Sequence, residues 1–195
     1  MTIADGMPPR PPAGVSYAPA VVWLTGLSGA GKTTVARAVN ERLHDAGQMA
    51  IVLDGDELRD GLCADLGFSP ADRMENVRRA GDVARLLFAQ GAIVLCAFVS
   101  PYRESRDRVR ALLPPARFIE TFVKADVETC RARDVKGLYA KAHDGRLGNL
   151  TGVSAPYEEP LSPELTIDTR RLSIAEAADT VLNHLRSLLP DTQSV

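Results

Sequence analysis

Cysteine is scarce in this 195-residue chain: Cys63, Cys96 and Cys130 are widely spaced, odd in number and free of any CxxC pattern. That argues against a disulfide scaffold or a cysteine-built zinc site and points to a reducing compartment. His44, His143 and His184 do not cluster with them, so no structural metal is expected. Long apolar runs are also missing. Nothing approaches the length that spans a bilayer, so no membrane partner and a cytoplasmic location are expected. Net charge is only −2, too little for the bulk basic field of a nucleic-acid binder. A guanine-reading N-K-x-D segment is absent as well, which argues against a GTPase switch.

What is present reads as a single globular domain: 45% hydrophobic and 25% charged residues, at a length that supports one proper core. The first twenty residues hold five prolines and no apolar core of signal-peptide length. Residues 1–19 are therefore expected to form a flexible proline-rich arm and 20–190 the domain. Within it, short runs rich in valine and isoleucine, at 21–25, 50–53, 92–99, 118–123 and 165–167, predict strands buried on both faces. Helices are predicted between them. Val35, Val39 and Leu43 recur before a stop at Gly47. Ser69, Pro70 and Asp72 open a second helix, with Val77, Ala80, Ala84, Leu87 and Phe88 sharing a face. Ser173 and Glu176 have capping-box spacing before Ile174, Ala177, Val181, Leu185 and Leu188. Alternating strands and helices predict a three-layer α/β domain with a mostly parallel five-stranded sheet. Residues 134–163 lack clear periodicity, and so long an irregular stretch reads as a functional lid.

The chemistry begins at "GLSGAGKT". Gly26, Leu27, Ser28, Gly29, Ala30, Gly31, Lys32 and Thr33 fit G-x4-G-K-[ST] between a predicted strand and a predicted helix. Glycines there let backbone N–H groups surround phosphate oxygens at a helix N-terminus. Lys32 would reach the β- and γ-phosphates and Thr33 would ligate Mg²⁺, while Thr34 follows in the loop. Such a loop binds a nucleoside triphosphate. "LDGDELR" ends the second strand and places Asp54 and Asp56 at the same sheet edge. One carboxylate could serve the metal and the other accept a proton; analogy with small P-loop kinases gives Asp54 the metal and Asp56 the base. A turn-forming Asp-Gly pair is the plainer reading.

Further along, Arg73 and Asn76 are three apart at a helix start, where they could grip an anionic substrate or, with Arg78 and Arg79, form a salt-bridged solvent face. Phe68 could stack on a base or join the core. Ser100 closes the third strand and could be a ligand, a phosphate acceptor or a cap. Arg103 and Arg106 could bind anions or decorate a helix. Arg131, Arg133, Lys136, Lys141 and Arg146 make the opening of the lid basic, which suits charge neutralisation and water exclusion.

In order along residues 21–168, "GLSGAGKT", "DGDELR", "GFSPADRMENVRR", "FVSPYRESR", "CRARDVKGLY" and "TGVSAPYEEP" resemble the adenylylsulfate kinase family. The resemblance implies a P-loop kinase fold with a basic lid. It also implies Mg²⁺-dependent transfer of the ATP γ-phosphoryl group to the 3′-hydroxyl of adenosine 5′-phosphosulfate (APS), yielding PAPS for sulfate activation. It assigns Lys32, Asp54, Asp56 and Ser100 to catalysis, the P-loop with Thr34 and Arg133 to ATP, and Thr33 and Asp54 to the metal. APS contacts are implied at Asp56, Arg59, Phe68, Arg73, Asn76, Val99, Ser100, Lys136, Leu138 and Leu150. Ser100 matches a serine described as a phosphoserine in bacterial members, although direct in-line transfer needs only positioning and charge stabilisation. A homodimer and a sulfurylase partner are also implied. The lid departs from the family pattern: His143 stands for a usual arginine, Asn149 for a glycine, Leu150 for a phenylalanine and Ser154 for an aspartate. The missing phenylalanine would sandwich the adenine with Phe68. Stacking of that kind is worth roughly 1–3 kcal/mol per base, so weaker APS binding is expected. A relative acting on another nucleotide anhydride or small anionic alcohol is the alternative.

Overall fold

The computed structural model describes residues 17–146 and 148–189. Residues 1–16 of the expected arm, and position 190 of the expected domain, lie outside them. Tyr17 belongs to the fold: it is buried in the main core, and the Arg186 guanidinium lies 5.5 Å from its ring centroid.

Five strands form the sheet: β1 (Val21–Thr25), β2 (Ala50–Asp54), β3 (Ile93–Ala97), β4 (Phe118–Lys124) and β5 (Leu165–Asp168). Their order is β2-β3-β1-β4-β5 and every pairing is parallel. The expected mostly parallel sheet is thus entirely parallel. Strand β1 is completely buried, and its side chains alternate between two cores, as a period of two requires. Val22 and Leu24 join the cluster shared with α1 (Lys32–Asp45) and α7 (Ile174–Ser187). Val21 and Trp23 face the cluster under α3 (Pro70–Ala89), where Trp23 stacks on Phe98 and Phe118.

Local signals explain where the helices start and stop. Gly47, at φ 67°, ends α1 by donating to His44 O, with Gln48 N–H closing on Leu43 O. Ser69 and Asp72 form a reciprocal capping box at α3, and Ser173 and Glu176 form another at α7. Val35, Val39 and Leu43 are buried as expected. Ile174, the first of the apolar residues after that capping box, sits in the first turn of α7, half-exposed. The segment at 134–163 is also less irregular than expected. Asp134 accepts N–H groups from Tyr139 and Ala140, nucleating the one-and-a-half turns of α6 (Leu138–His143).

Three short helices complete the set: α2 (Gly55–Arg59), α4 (Arg103–Arg110) and α5 (Val127–Arg133). On α4, Arg106 is an internal tie instead of a surface cation. Its Nε donates to Glu120 on β4 at 2.5 Å, Nη1 to Ser100 O at 2.7 Å and Nη2 to Glu158 O at 2.8 Å. One buried cation thereby fixes the end of β3, the middle of β4 and the chain returning from the lid. Removing one partner from such a pair leaves an uncompensated charge in the interior. Glu120→Ala is expected to destabilise the protein by about 3–5 kcal/mol in urea unfolding; a loss below about 1 kcal/mol would mean the pair behaves like a surface ion pair.

Candidate active site

Parallel strands deliver their carboxyl ends to one edge, and a cleft of about 780 Å³ opens there. The loop between β1 and α1 forms one side. Gly26 and Gly29 have left-handed backbones; a Cβ on Gly26 would lie 2.4 Å from Val123 O, and one on Gly29 would lie 3.0 Å from Cys130 O. Glycine is therefore demanded by close backbone approach as well as by φ. Ser28, Gly29, Gly31, Lys32, Thr33 and Thr34 line the cleft. The side chains of Leu27 and Ala30 turn away: Leu27 packs against the core and Ala30 is buried within it. With Gly26 they shape the loop, and any contact they make with a phosphate is through backbone.

Lys32 is buried and donates to Gly26 O at 2.9 Å and Leu27 O at 2.8 Å. Burial first, and then the nearby Lys136 cation, push its pKa down to about 8. Thr33 donates its hydroxyl to Asp54 Oδ2 at 2.6 Å, while Asp54 Oδ1 accepts the Asp56 N–H at 2.9 Å and caps α2. Hydroxyl and carboxylate oxygens brought this close are the hard donor set that suits Mg²⁺. Among the described residues, no group of three or more His, Cys, Asp or Glu side chains is placed to hold a metal by itself. Asp56 is exposed and pairs with Lys136.

The opposite side is built from α3 and its approach. Arg59, Phe68, Arg73 and Asn76 all line the cleft. Phe68 is half-exposed instead of joining the core, with the Arg59 guanidinium 4.4 Å and that of Arg73 5.6 Å from its ring centroid. Arg73 also donates to Asn149 O at 2.5 Å, so one end of the 149–155 turn is tied to α3. Arg78 and Arg79 take no part: they pair with Glu75, Asp82 and Asp65 on the surface.

Val99, Ser100, Leu138, Leu150, Arg133 and Lys136 also line the cleft, so the structure brings both sets of predicted residues into one cavity. Ser100 is held at φ 39° and buried. Its hydroxyl accepts from Trp23 Nε1 at 3.1 Å and donates to Thr25 Oγ1 at 3.0 Å. Arg103 is occupied by Glu158 and Glu159. His143 is exposed beside Asp144 and outside the cleft, as are Lys141 and Arg146, so its replacement of an arginine does not alter the wall.

Further cleft residues escape a motif reading, among them three beyond the last strand. Thr169, Leu172 and Ile174 follow β5, and Arg133 fastens Thr169 to the P-loop through Thr169 O at 2.9 Å, Gly29 O at 3.3 Å and Ala30 O at 3.4 Å. The available signal was positional: Thr169 is the first residue beyond a parallel strand's carboxyl end.

Residues 18–168 match the family model described as adenylylsulphate kinase. An adenylyl-sulfate kinase of Geotalea uraniireducens is 55% identical over 166 residues, covering 85% of this chain and 80% of the relative. The bifunctional enzyme NodQ of Azospirillum brasilense is 53% identical over 171 residues, 88% of this chain but 27% of that protein. Among solved structures, the Mycobacterium tuberculosis APS kinase CysC in complex with AMPPNP and APS superposes with a TM-score of 0.83 at 45% identity, covering 87% of this chain and 99% of that one.

A phosphate held by this loop needs Lys32 charged, and phosphate contact raises the pKa that burial has lowered. Affinity is then fully present below the free-state value and is lost as pH rises through it. Nucleotide affinity, read by fluorescence titration, is expected to be flat up to about pH 8 and to fall roughly tenfold per unit above it. Lys136→Ala should move that break to higher pH; an unmoved break would separate the two lysines.

Proposed function

The chain belongs to the adenylyl-sulfate kinase family, and from that premise we propose how its residues divide the transfer between them. The enzyme phosphorylates APS with ATP, giving PAPS and ADP. The observation that carries the division of labour is the single cleft in which the P-loop, Asp54, Asp56 and the Phe68–Arg73–Asn76 face meet.

The P-loop amides, Lys32 and Arg133 hold the triphosphate. Thr33 and Asp54 hold Mg²⁺, which supplies charge neutralisation on the phosphoryl oxygens when bound. Phe68 and Leu150 present apolar faces to the adenine of APS, while Arg59, Arg73, Asn76 and Lys136 take its polar and anionic parts, with Val99 and Leu138 closing the wall. The 3′-oxygen attacks the γ-phosphorus, the bond to the β,γ-bridging oxygen breaks, ADP leaves, and Asp56 accepts the hydroxyl proton. Lys136 pairs with Asp56 in the free protein, and a shift of Lys136 onto the anionic substrate frees that carboxylate to act as base. Ser100 serves as a positioning residue: its hydroxyl is already committed to Trp23 and Thr25 inside the protein, which favours direct transfer over a phosphoserine step. The proposal includes a homodimer, a sulfurylase as possible supplier of APS, and a cytoplasmic location. No helix among the described residues is long and apolar enough to cross a membrane.

A product assay with ATP and Mg²⁺, comparing APS with AMP, ADP and other nucleotide anhydrides, tests the substrate by mass spectrometry of the phosphorylated species. PAPS is expected at micromolar APS; faster phosphorylation of another acceptor would assign the altered lid to a changed substrate. Asp56→Asn is expected to lower turnover at least about a hundredfold while ATP still binds, and near-normal turnover would remove Asp56 as the base. Leu150→Phe is expected to lower the KM for APS severalfold, because stacking contributes roughly 1–3 kcal/mol per base; an unchanged KM rejects the clamp.

A further inference from the structure

The wall formed by residues 149–155 is held by hydrogen bonds to α3 and within its own turn. Asn149 O accepts from Arg73. Leu150 N–H donates to Ser154 Oγ at 3.0 Å, and Leu150 O receives the N–H groups of Val153, Ser154 and Ala155 at 2.9–3.1 Å. Gly152 N–H closes on Ala155 O at 2.8 Å. Gly152 has φ 85°, and a Cβ there would lie 2.6 Å from Leu27 Cδ2, so the turn is seated directly on the P-loop. Thr151 is fixed between these two attachments, one to α3 and one to the P-loop.

Thr151 is 3% exposed and lines the cleft, yet Oγ1 has no hydrogen-bond partner among the described residues. Asn76, 6% exposed on the same cleft, has its Nδ2 in the same condition. Other buried hydroxyls beside the cleft are paired: Thr25 donates to Val99 O at 2.8 Å and Ser100 to Thr25. Burying an unpaired hydroxyl is unfavourable, so a fold that keeps one rigidly at a binding cavity is complementary to a polar atom of a ligand. Thr151 carries no charge to offer a phosphosulfate. It follows Leu150 directly in the chain, and Leu150 with Phe68 supplies the apolar surface suited to a base.

We propose that Thr151 Oγ1 accepts a hydrogen bond from the exocyclic 6-amino group of the acceptor nucleotide and is a specificity-determining residue for a 6-aminopurine. This rests on the reading of APS as the acceptor. A threonine hydroxyl has the lone pairs to accept that N–H, and a buried polar group matched to one substrate rejects an analogue that cannot pair with it.

The test compares Thr151→Val, which keeps the shape and removes the hydroxyl, with Thr151→Ser, which keeps the hydroxyl. Two acceptors are used: APS and purine riboside 5′-phosphosulfate, which lacks the 6-amino group. Thr151→Val is expected to raise the KM for APS about tenfold, leaving kcat and the KM for ATP within about twofold. Its KM for the 6-unsubstituted analogue should change less than about twofold, and Thr151→Ser should restore the wild-type preference. The Tm of ligand-free Thr151→Val should equal or exceed that of wild type, because an unpaired buried polar atom has been removed. A KM for APS unchanged by Thr151→Val, or equal losses on both acceptors, overturns the assignment; equal losses with a lowered Tm would make the hydroxyl structural. If wild-type protein forms no PAPS, the parent reading fails and this inference with it. Wild-type PAPS formation together with an unaffected variant overturns this inference alone.

Discussion

Uniform strand direction is the constraint on which this site depends. Because β1, β2 and β3 run parallel in register, Leu24 of β1 and Asp54 of β2 both pair with Ala97 of β3. Thr25, Asp54 and the residues after Ala97 consequently leave the sheet together, and β4 and β5 bring Lys124 and Asp168 to the same edge. Everything the chemistry uses is then a loop or helix start attached to that edge. A buried, close-packed β1 gives the P-loop a rigid origin, since neither of its faces has room to shift without disturbing a core.

The electrostatics of the edge follow from how few of its charges are free. Asp54 is committed twice, to the Asp56 N–H and to the Thr33 hydroxyl, which fixes its two oxygens and ties β2 to α1. Asp56, two residues later, is outside that arrangement and meets only a lid cation. Two carboxylates only two positions apart thus acquire separate environments, which is the condition for giving them separate roles. Lys136 couples the pair to the P-loop, because the same cation that faces Asp56 also helps depress Lys32. Arg106 provides the opposite solution to burying charge: each guanidinium nitrogen donates, to Glu120, Ser100 O and Glu158 O.

The sequence was legible wherever a short-range rule decides the outcome. Two capping boxes, the Gly47 stop, five strands and the P-loop all follow from spacing over a few residues. The motif residues also reached one cleft, because the strand-end rule converts position along the chain into position in space. Legibility failed where the decision is tertiary. Ile174 satisfies helical periodicity but occupies the first turn of α7, where it stands half-exposed at the cleft. His143 sits in the lid sequence, yet α6 turns it into solvent. Arg106 has the appearance of helix decoration, and only the position of Glu120 on a neighbouring strand makes it internal.

Leu150 and Thr151 show why the lid was hardest to read. Substituting leucine for an aromatic suggests a loss of stacking surface, a statement about one side chain. The structure makes the backbone around it the more informative feature: Ser154 accepts the Leu150 N–H, Leu27 presses on Gly152, and Arg73 grips Asn149. These contacts set the wall's position whatever residue projects from it. With the turn attached on either side of Thr151, at Asn149 and Leu150 and at Gly152, its hydroxyl is held on the cleft side without a partner among the described residues. The cost of keeping it there falls on the free protein, and a ligand that pairs with it recovers that cost on binding. Ground-state recognition in this lid is therefore carried by a fixed polar atom as well as by apolar surface, and a smaller clamp residue need not mean a less selective site.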